Sequence, residues 1–306
     1  MSSKKLLFAF ALLLCLVACK QEQKPIDGFV KNTATESVDT RDLADNAFSK
    51  REGIKVEKVE QAEKAESNSG DPNKLDRDQL LTVGMPRGLS DQRIHRKAYT
   101  ASYNKQSRNP NWVAWHLERA HTKGNVYRTE QMFMEDTSVG TPRATDADYT
   151  RSGYDRGHMC PSGDNKWDET AQMESFYFTN CCPQKHDFNS GVWEELESRC
   201  RHWANCYGEV WIVCGPVYDP AKTYKTIGRN KVVVPDEFFK VVLARNKGRY
   251  QAIGFVYKNM NGYKTMDKFV RTIDEVERLT GYDFFRGLPD KWEEKVEENA
   301  DLSQWK

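Results

Sequence analysis

The chain has 306 residues, of which 38% are hydrophobic and 30% charged, and its formal net charge is +1. That length supports one sizeable core, or one domain with a long appendage. The near-neutral balance excludes a globally basic polyanion binder, so any nucleic-acid surface has to be local, and past the first residues no apolar stretch is long enough to cross a bilayer.

The N-terminus reads as a targeting segment. Lys4 and Lys5 give a short basic region, and Leu6 to Val17 is apolar but too short for a mature membrane helix. Leu16-Val17-Ala18-Cys19 resembles a bacterial lipobox. That resemblance implies removal of residues 1–18 as a signal peptide and lipid on Cys19. With Lys20 next, it also implies an outer-membrane anchor in the cell envelope, with the folded part periplasmic or extracellular. Residues 19–78 read as a disordered polar tether. From Lys20 onward this stretch has no Trp, Tyr or Cys, and its only aromatics are Phe29 and Phe48. Such a composition buries too little apolar surface to offset the entropy of ordering, although Ile54 to Ala65 has helix-forming residues.

Residues 79–306 read as the folded domain. Arg93, His95, Arg96 and Lys97 form one candidate basic cluster for phosphate, the alternative being an ordinary solvated face. Tyr99 to Tyr103 alternates as a strand, Asn109-Pro110-Asn111 is a turn, and Trp112 to Leu117 is a second strand. Glu130 to Asp148 reads as loop, and Glu174 to Phe178 as a short strand or helical turn. Gly191 to Trp203 suits a helix with Asn189 or Ser190 as its N-cap. Val210 to Cys214 is a buried strand stopped by Gly215-Pro216. Val232 to Val234 with Phe238 to Leu243 reads as a strand pair, Tyr250 to Tyr257 as a further strand, and Val270 to Leu279 as a helix closed by Gly281. Strands and helices mix without regular βαβ spacing, so the expected class is α+β with a mostly antiparallel sheet and flanking helices.

The chemistry concentrates at Asp155-Arg156-Gly157-His158 and, downstream, Asn180, Asn189 and Glu197. The segment at His158 has little helical or strand character, and a loop histidine beside Arg and Asp is a candidate general base near neutral pH. The Asn189 amide oxygen is a hard, neutral donor that leaves magnesium most of its waters and its full charge. Glu197 follows Asn189 by two helical turns, too far to share one ion easily, so its expected role is to hold metal-bound water. Arg156 and Arg128 are candidate phosphate clamps, because the guanidinium fork matches phosphate oxygens.

These residues resemble a known family, the DNA/RNA non-specific endonucleases with the ββα-metal fold. Asp155-Arg156-Gly157-His158-Met159 resembles its signature, and Thr179 to Gln184 through Asn189, Trp193, Leu196 and Glu197 keeps its spacing. Asn111 to Trp115, Arg128 with Phe133 and Asp136, Val234-Pro235 with Phe238-Phe239-Lys240, and Glu277 to Phe285 extend the likeness. The resemblance implies His158 as base, Asn189 as ligand of Mg2+ (or Mn2+ in its place) and Glu197 in the metal–water network. It further implies Arg128 and Arg156 at the phosphate, with Asn180 orienting the histidine site. Both DNA and RNA are the implied substrates, cut to 5′-phosphorylated products, and no protein partner is implied. Cys160 and the pair Cys181-Cys182 depart from the family pattern.

Beyond Cys15 and Cys19 the chain holds six cysteines, Cys160, Cys181, Cys182, Cys200, Cys206 and Cys214. An even set outside the cytoplasm leads to an expectation of disulfides, with the pairing open. A zinc site from Cys200, His202 and Cys206 with Cys181 or Cys182 is the rival reading. For function, the alternatives are a catalytically silent nuclease-like module that binds nucleic acid or protein, and a phosphodiesterase for small nucleotides.

Overall fold

The structure, a computed structural model, describes residues 79–127, 133–263 and 265–305. The signal segment, Cys19, the tether and Arg128 lie outside the described residues. Eleven strands are assigned among the described residues: β1 (Gln92–His95), β2 (Thr100–Asn104), β3 (Asn109–Glu118), β4 (Asp155–His158), β5 (Cys181–Gln184), β6 (Glu209–Val217), β7 (Thr226–Ile227), β8 (Val232–Val233), β9 (Glu237–Asn246), β10 (Arg249–Lys258) and β11 (Val270–Arg271). Seven of them form one sheet in the order β1-β2-β3-β6-β9-β10-β11, with every neighbouring pair antiparallel.

The central strands are apolar at nearly every position because both faces of the sheet are covered. Val113, Trp115, Ile212, Cys214 and Val242 point into one core, and Trp112, Ala114, Trp211, Val213 and Val241 into the other. Two single short helices, α1 (Asp146–Tyr149) and α2 (Glu169–Glu174), lie in the connections around β4. The long helix α3 (Glu194–Tyr207) closes the first face with Leu196, Cys200, Trp203 and Ala204. Helices α4 (Ile273–Thr280) and α5 (Asp290–Glu297) close the second through Ile273, Val276 and Val296. Acidic residues in the first turn of α3 match the positive end of its dipole, and Gly208, at φ +99°, ends it.

Several sequence expectations are corrected. Asn109 and Pro110 belong to β3, and the turn precedes them, with Arg108 at φ +58°. Gly215-Pro216 does not stop β6. After Cys214 the strand pairs with β9 alone, so a residue without an N–H is accommodated, and Gly215 leaves room for the carbonyl of Asn111. β8 pairs with β7 in a small ribbon of its own rather than with β9. Helix α4, read from Val270, starts only at Ile273, capped by Thr272 in a reciprocal box with Glu275. His158 ends a strand instead of lying in a loop, and neither Asn189 nor Ser190 caps a helix (both described below).

Among the described residues none of the six cysteines expected to pair forms a disulfide. Cys181 and Cys182 are adjacent on β5, so they alternate to opposite sides and enter different cores. Burial pushes the thiols of Cys200 and Cys214 up to about 12, so near neutral pH they pack as small apolar groups. The zinc alternative also fails. Cys200 faces the core while Cys206, six residues on along the helix, is exposed beside His202.

Helices α4 and α5 meet through carboxylates. Burial, then neighbouring acids, pushes Glu297 to about 9 and Glu277 to about 8, well above an ordinary glutamate. Between the unfolded and folded values the native state holds more protons than the unfolded chain, so stability falls as pH rises through that window. Glu297→Gln is therefore expected to raise the melting temperature at pH 8 by about 2–4 °C. The gain should vanish near pH 5; an equal gain at both pH values would show that ionisation there is irrelevant.

Candidate active site

The ribbon of β4 and β5 pairs His158 with Cys181 and Asp155 with Gln184. It is followed directly by a wide, π-type turn over Phe188–Trp193 and then by α3, which gives a β-β-α unit. Gly157 is required at the centre of β4, because a Cβ there would meet the buried side chain of Gln184. Alternation along β4 sends Arg156 and His158 to one side. Both meet Phe133 there, at 5.0 Å ring to ring for His158 and 5.8 Å for the Arg156 guanidinium carbon. The His158 ring also stands edge-on to Phe176, at 4.9 Å and 86°. Two aromatic walls and a half-buried strand end fix the imidazole plane.

Asn180 is fully buried and acts on the backbone just past His158. Its amide oxygen accepts from the N–H of Cys160 at 2.9 Å, and its Nδ2 donates to the carbonyls of Cys160 at 2.8 Å and Ser175 at 2.7 Å. The Asn180 carbonyl accepts from Met159 N–H at 2.9 Å. This clasp sets the direction in which the chain leaves His158.

Asn189 lies inside the wide turn, whose N-cap is Asp187, and Gly191 leaves helical geometry at φ −111°, ψ −110°. The spacing Asn189, Trp193, Glu197 therefore does not run along one continuous α-helix. Such wide turns recur at functional sites because they re-aim a side chain. Asn189 Nδ2 donates to Asp155 Oδ2 at 3.0 Å, which turns its amide oxygen the other way. Trp193 Nε1 donates to the His158 carbonyl at 3.2 Å. The turn and the ribbon are thus latched at both ends of β4, one latch at Asp155 and the other at His158. Asp155, whose role the sequence did not disclose, orients Asn189.

Glu197 is half-buried at the start of α3. Burial raises its carboxyl to about 7, against the pull of Lys240 and Arg201. Lys240 lies on β9, fully buried, with its ammonium 4.3 Å from the Trp193 ring and 5.4 Å from the Trp115 ring and no hydrogen bond to Nζ. Trp115 Nε1 and Arg201 both donate to the buried Asp164, at 3.0 Å and 2.9 Å. A buried set of alternating charges thus underlies the first two turns of α3. The only sequence signal for it was a lysine between Phe239 and Val241 in an apolar strand.

Arg156 is held by Asp146, with Nε 2.8 Å and Nη2 2.7 Å from Oδ1. Asp146 is mostly exposed, and a pair of this kind contributes only about 0–1 kcal/mol, so a phosphate can displace it. Asp146→Asn is expected to lower KM for DNA about two- to fivefold while leaving kcat in place; a higher KM would show that Asp146 aims the arginine productively. The basic cluster at the first strand does not form a free phosphate surface. Arg93 pairs with Asp91, Arg96 with buried Asp136 at 2.6 Å, and Lys97 with Asp168 at 2.6 Å.

A seven-stranded antiparallel sheet with flanking helices and a β-β-α unit carrying His158 and Asn189 defines the ββα-metal nuclease fold. The family model for DNA/RNA non-specific endonucleases matches residues 76–291, and the chain belongs to that family. Zebrafish (Danio rerio) mitochondrial nuclease EXOG is 35% identical over 219 residues, covering 67% of this chain and 64% of that protein. Human mitochondrial endonuclease G is 33% identical over 215 residues, 66% of this chain and 72% of that one. A crystal structure of the EndoG/EndoGI complex superposes with a TM-score of 0.63 at 31% identity, covering 66% of this chain and 89% of that one. The chain thus spans slightly less than two thirds of the length of the EXOG nucleases it resembles.

Proposed function

We propose that the chain is a metal-dependent endonuclease that hydrolyses phosphodiester bonds of DNA and RNA without sugar preference. The observation that carries this reading is the double latch that fastens the His158 strand to the turn bearing Asn189. In the proposed reaction His158 takes a proton from the attacking water, and phosphorus is attacked opposite the 3′ oxygen. The products then carry 5′-phosphates. Arg156, released from Asp146, donates hydrogen bonds to the non-bridging oxygens and offsets their growing negative charge, and Arg128 is assigned the same task. Phe133 and Phe176 hold the imidazole plane while the proton moves.

The donor set fits magnesium. One neutral amide oxygen, turned away from Asp155, suits a hard cation that keeps its waters, and the Glu197 carboxyl, raised to about 7 by burial, is ready to ionise near positive charge. Asn189 would hold Mg2+, or Mn2+ in its place, with Glu197 on the water network; when bound, the ion stabilises charge on the phosphoryl and leaving oxygens. Asn180 is the positioning residue for the histidine strand.

Cleavage of plasmid and of RNA by the purified chain, abolished by chelator and restored by magnesium, tests this reading; chelator-resistant cleavage would remove the metal from it. Affinity dominated by phosphates should fall steeply with salt. For location we propose a lipid anchor on Cys19, with the catalytic domain outside the inner membrane. Among the described residues no helix is long and apolar enough to cross a membrane.

A further inference from the structure

A second cluster of ligating side chains lies at the far end of β3 and β6. His116 and Glu118 are two apart on β3 and so share a face. Across the strand pair His116 faces Trp211, and Glu118 faces Glu209 directly. The imidazole is stacked on Trp211, with centroids 5.0 Å apart and planes 11° apart, which fixes its orientation. Its Nε2 is 3.0 Å from Glu209 Oε2 and its Nδ1 is 3.6 Å from Glu118 Oε1. One ligand atom from each of the three side chains lies within 4.8 Å of the others.

We propose that His116, Glu118 and Glu209 form a site for a divalent transition metal, zinc foremost, distinct from the candidate active site. Glu118 and Glu209 stand directly opposite on neighbouring strands, where like charges repel, and a cation held among the three ligand atoms would offset that repulsion. One imidazole and two carboxylates, open to water on the remaining side, are a borderline-soft donor set that suits zinc better than magnesium or calcium. Ligands about 2.1 Å from one ion lie roughly 3–4 Å apart, so small rotations of the two glutamates close the site. The side chains are partly shielded, at 16% exposure for His116, 37% for Glu118 and 21% for Glu209, and all three rise from central strands rather than loops.

Cys214 Sγ donates to the Met159 carbonyl, so the candidate active site adjoins the Cys214 end of β6. Five residues of strand, about 17 Å, separate Cys214 from Glu209. Zinc here would therefore cross-link the central strands without contacting the nucleic-acid site.

The test is titration of the full chain with zinc chloride at pH 7.5 in saturating magnesium. The wild type should bind one more equivalent of zinc than His116→Ala or Glu209→Gln. Zinc should raise the wild-type melting temperature by several degrees more than that of either variant. Equal stoichiometry and equal thermal shifts in all three proteins would overturn the proposal. So would anomalous scattering from zinc-soaked wild-type crystals that placed no ion among the three residues, a result independent of how the variants fold. Magnesium-supported cleavage should be unchanged in His116→Ala, which keeps this test separate from that of the nuclease reading.

Discussion

His158→Ala is expected to lower kcat on both DNA and RNA by about 100- to 10,000-fold, the range carried by a positioned general base. The side chain meets Phe133 and Phe176 at its rim, while the strand is held through its backbone by Asn180 and Trp193. Removing the ring therefore leaves the ribbon latched, and far-UV circular dichroism and nucleic-acid affinity in chelator should stay near wild type. The loss belongs in kcat, because the proton is taken only in the transition state. Undiminished cleavage by a folded variant would leave the water without this base. Full binding without cleavage in the wild type would favour a silent nucleic-acid-binding module.

Asn189→Ala is expected to abolish the response to magnesium and to cut the rate by about 100-fold or more, since Lewis-acid stabilisation of a phosphoryl transition state is worth several kcal/mol. Asp155 gives the contrast. Its carboxylate accepts from Asn189 Nδ2 at 3.0 Å and from His186 Nδ1 at 2.9 Å, and so orients the amide from outside the ligand shell. Asp155→Asn should weaken magnesium affinity about 10- to 100-fold, as loss of an outer-shell partner does. Its kcat should recover at high magnesium, whereas that of Asn189→Ala should not. An unchanged magnesium titration in Asn189→Ala would reject the ligand assignment, and an unchanged one in Asp155→Asn would show that the wide turn alone aims the amide.

The order and type of the long elements were legible from local patterning. Val210 to Cys214 and Tyr250 to Tyr257 appear as parts of β6 and β10, and Gly281, at φ +73°, ends its helix as read. Misreadings fell where pairing decides. Pro216 stays in a strand because β6 pairs there with β9 alone, and Asn109-Pro110 extends β3 because β2 pairs through it. The residues that carry the candidate chemistry were also legible, since their identities and spacing are linear properties: His158, Asn180, Asn189, Glu197 and Arg156 all sit in or beside the β-β-α unit.

Sequence by itself determined the α+β class, the family and the set of candidate side chains, because strand alternation, capping and motif spacing are written residue by residue along the chain. Tertiary structure decided which groups support that set. The wide turn that carries Asn189, the carboxylate of Asp155 behind it, the buried ammonium of Lys240 against Trp193 and the burial of Cys200 and Cys214 each depend on neighbours distant in sequence. Burial, electrostatic coupling and the meeting of strand registers are pair properties, and they exist only once those neighbours have been brought together.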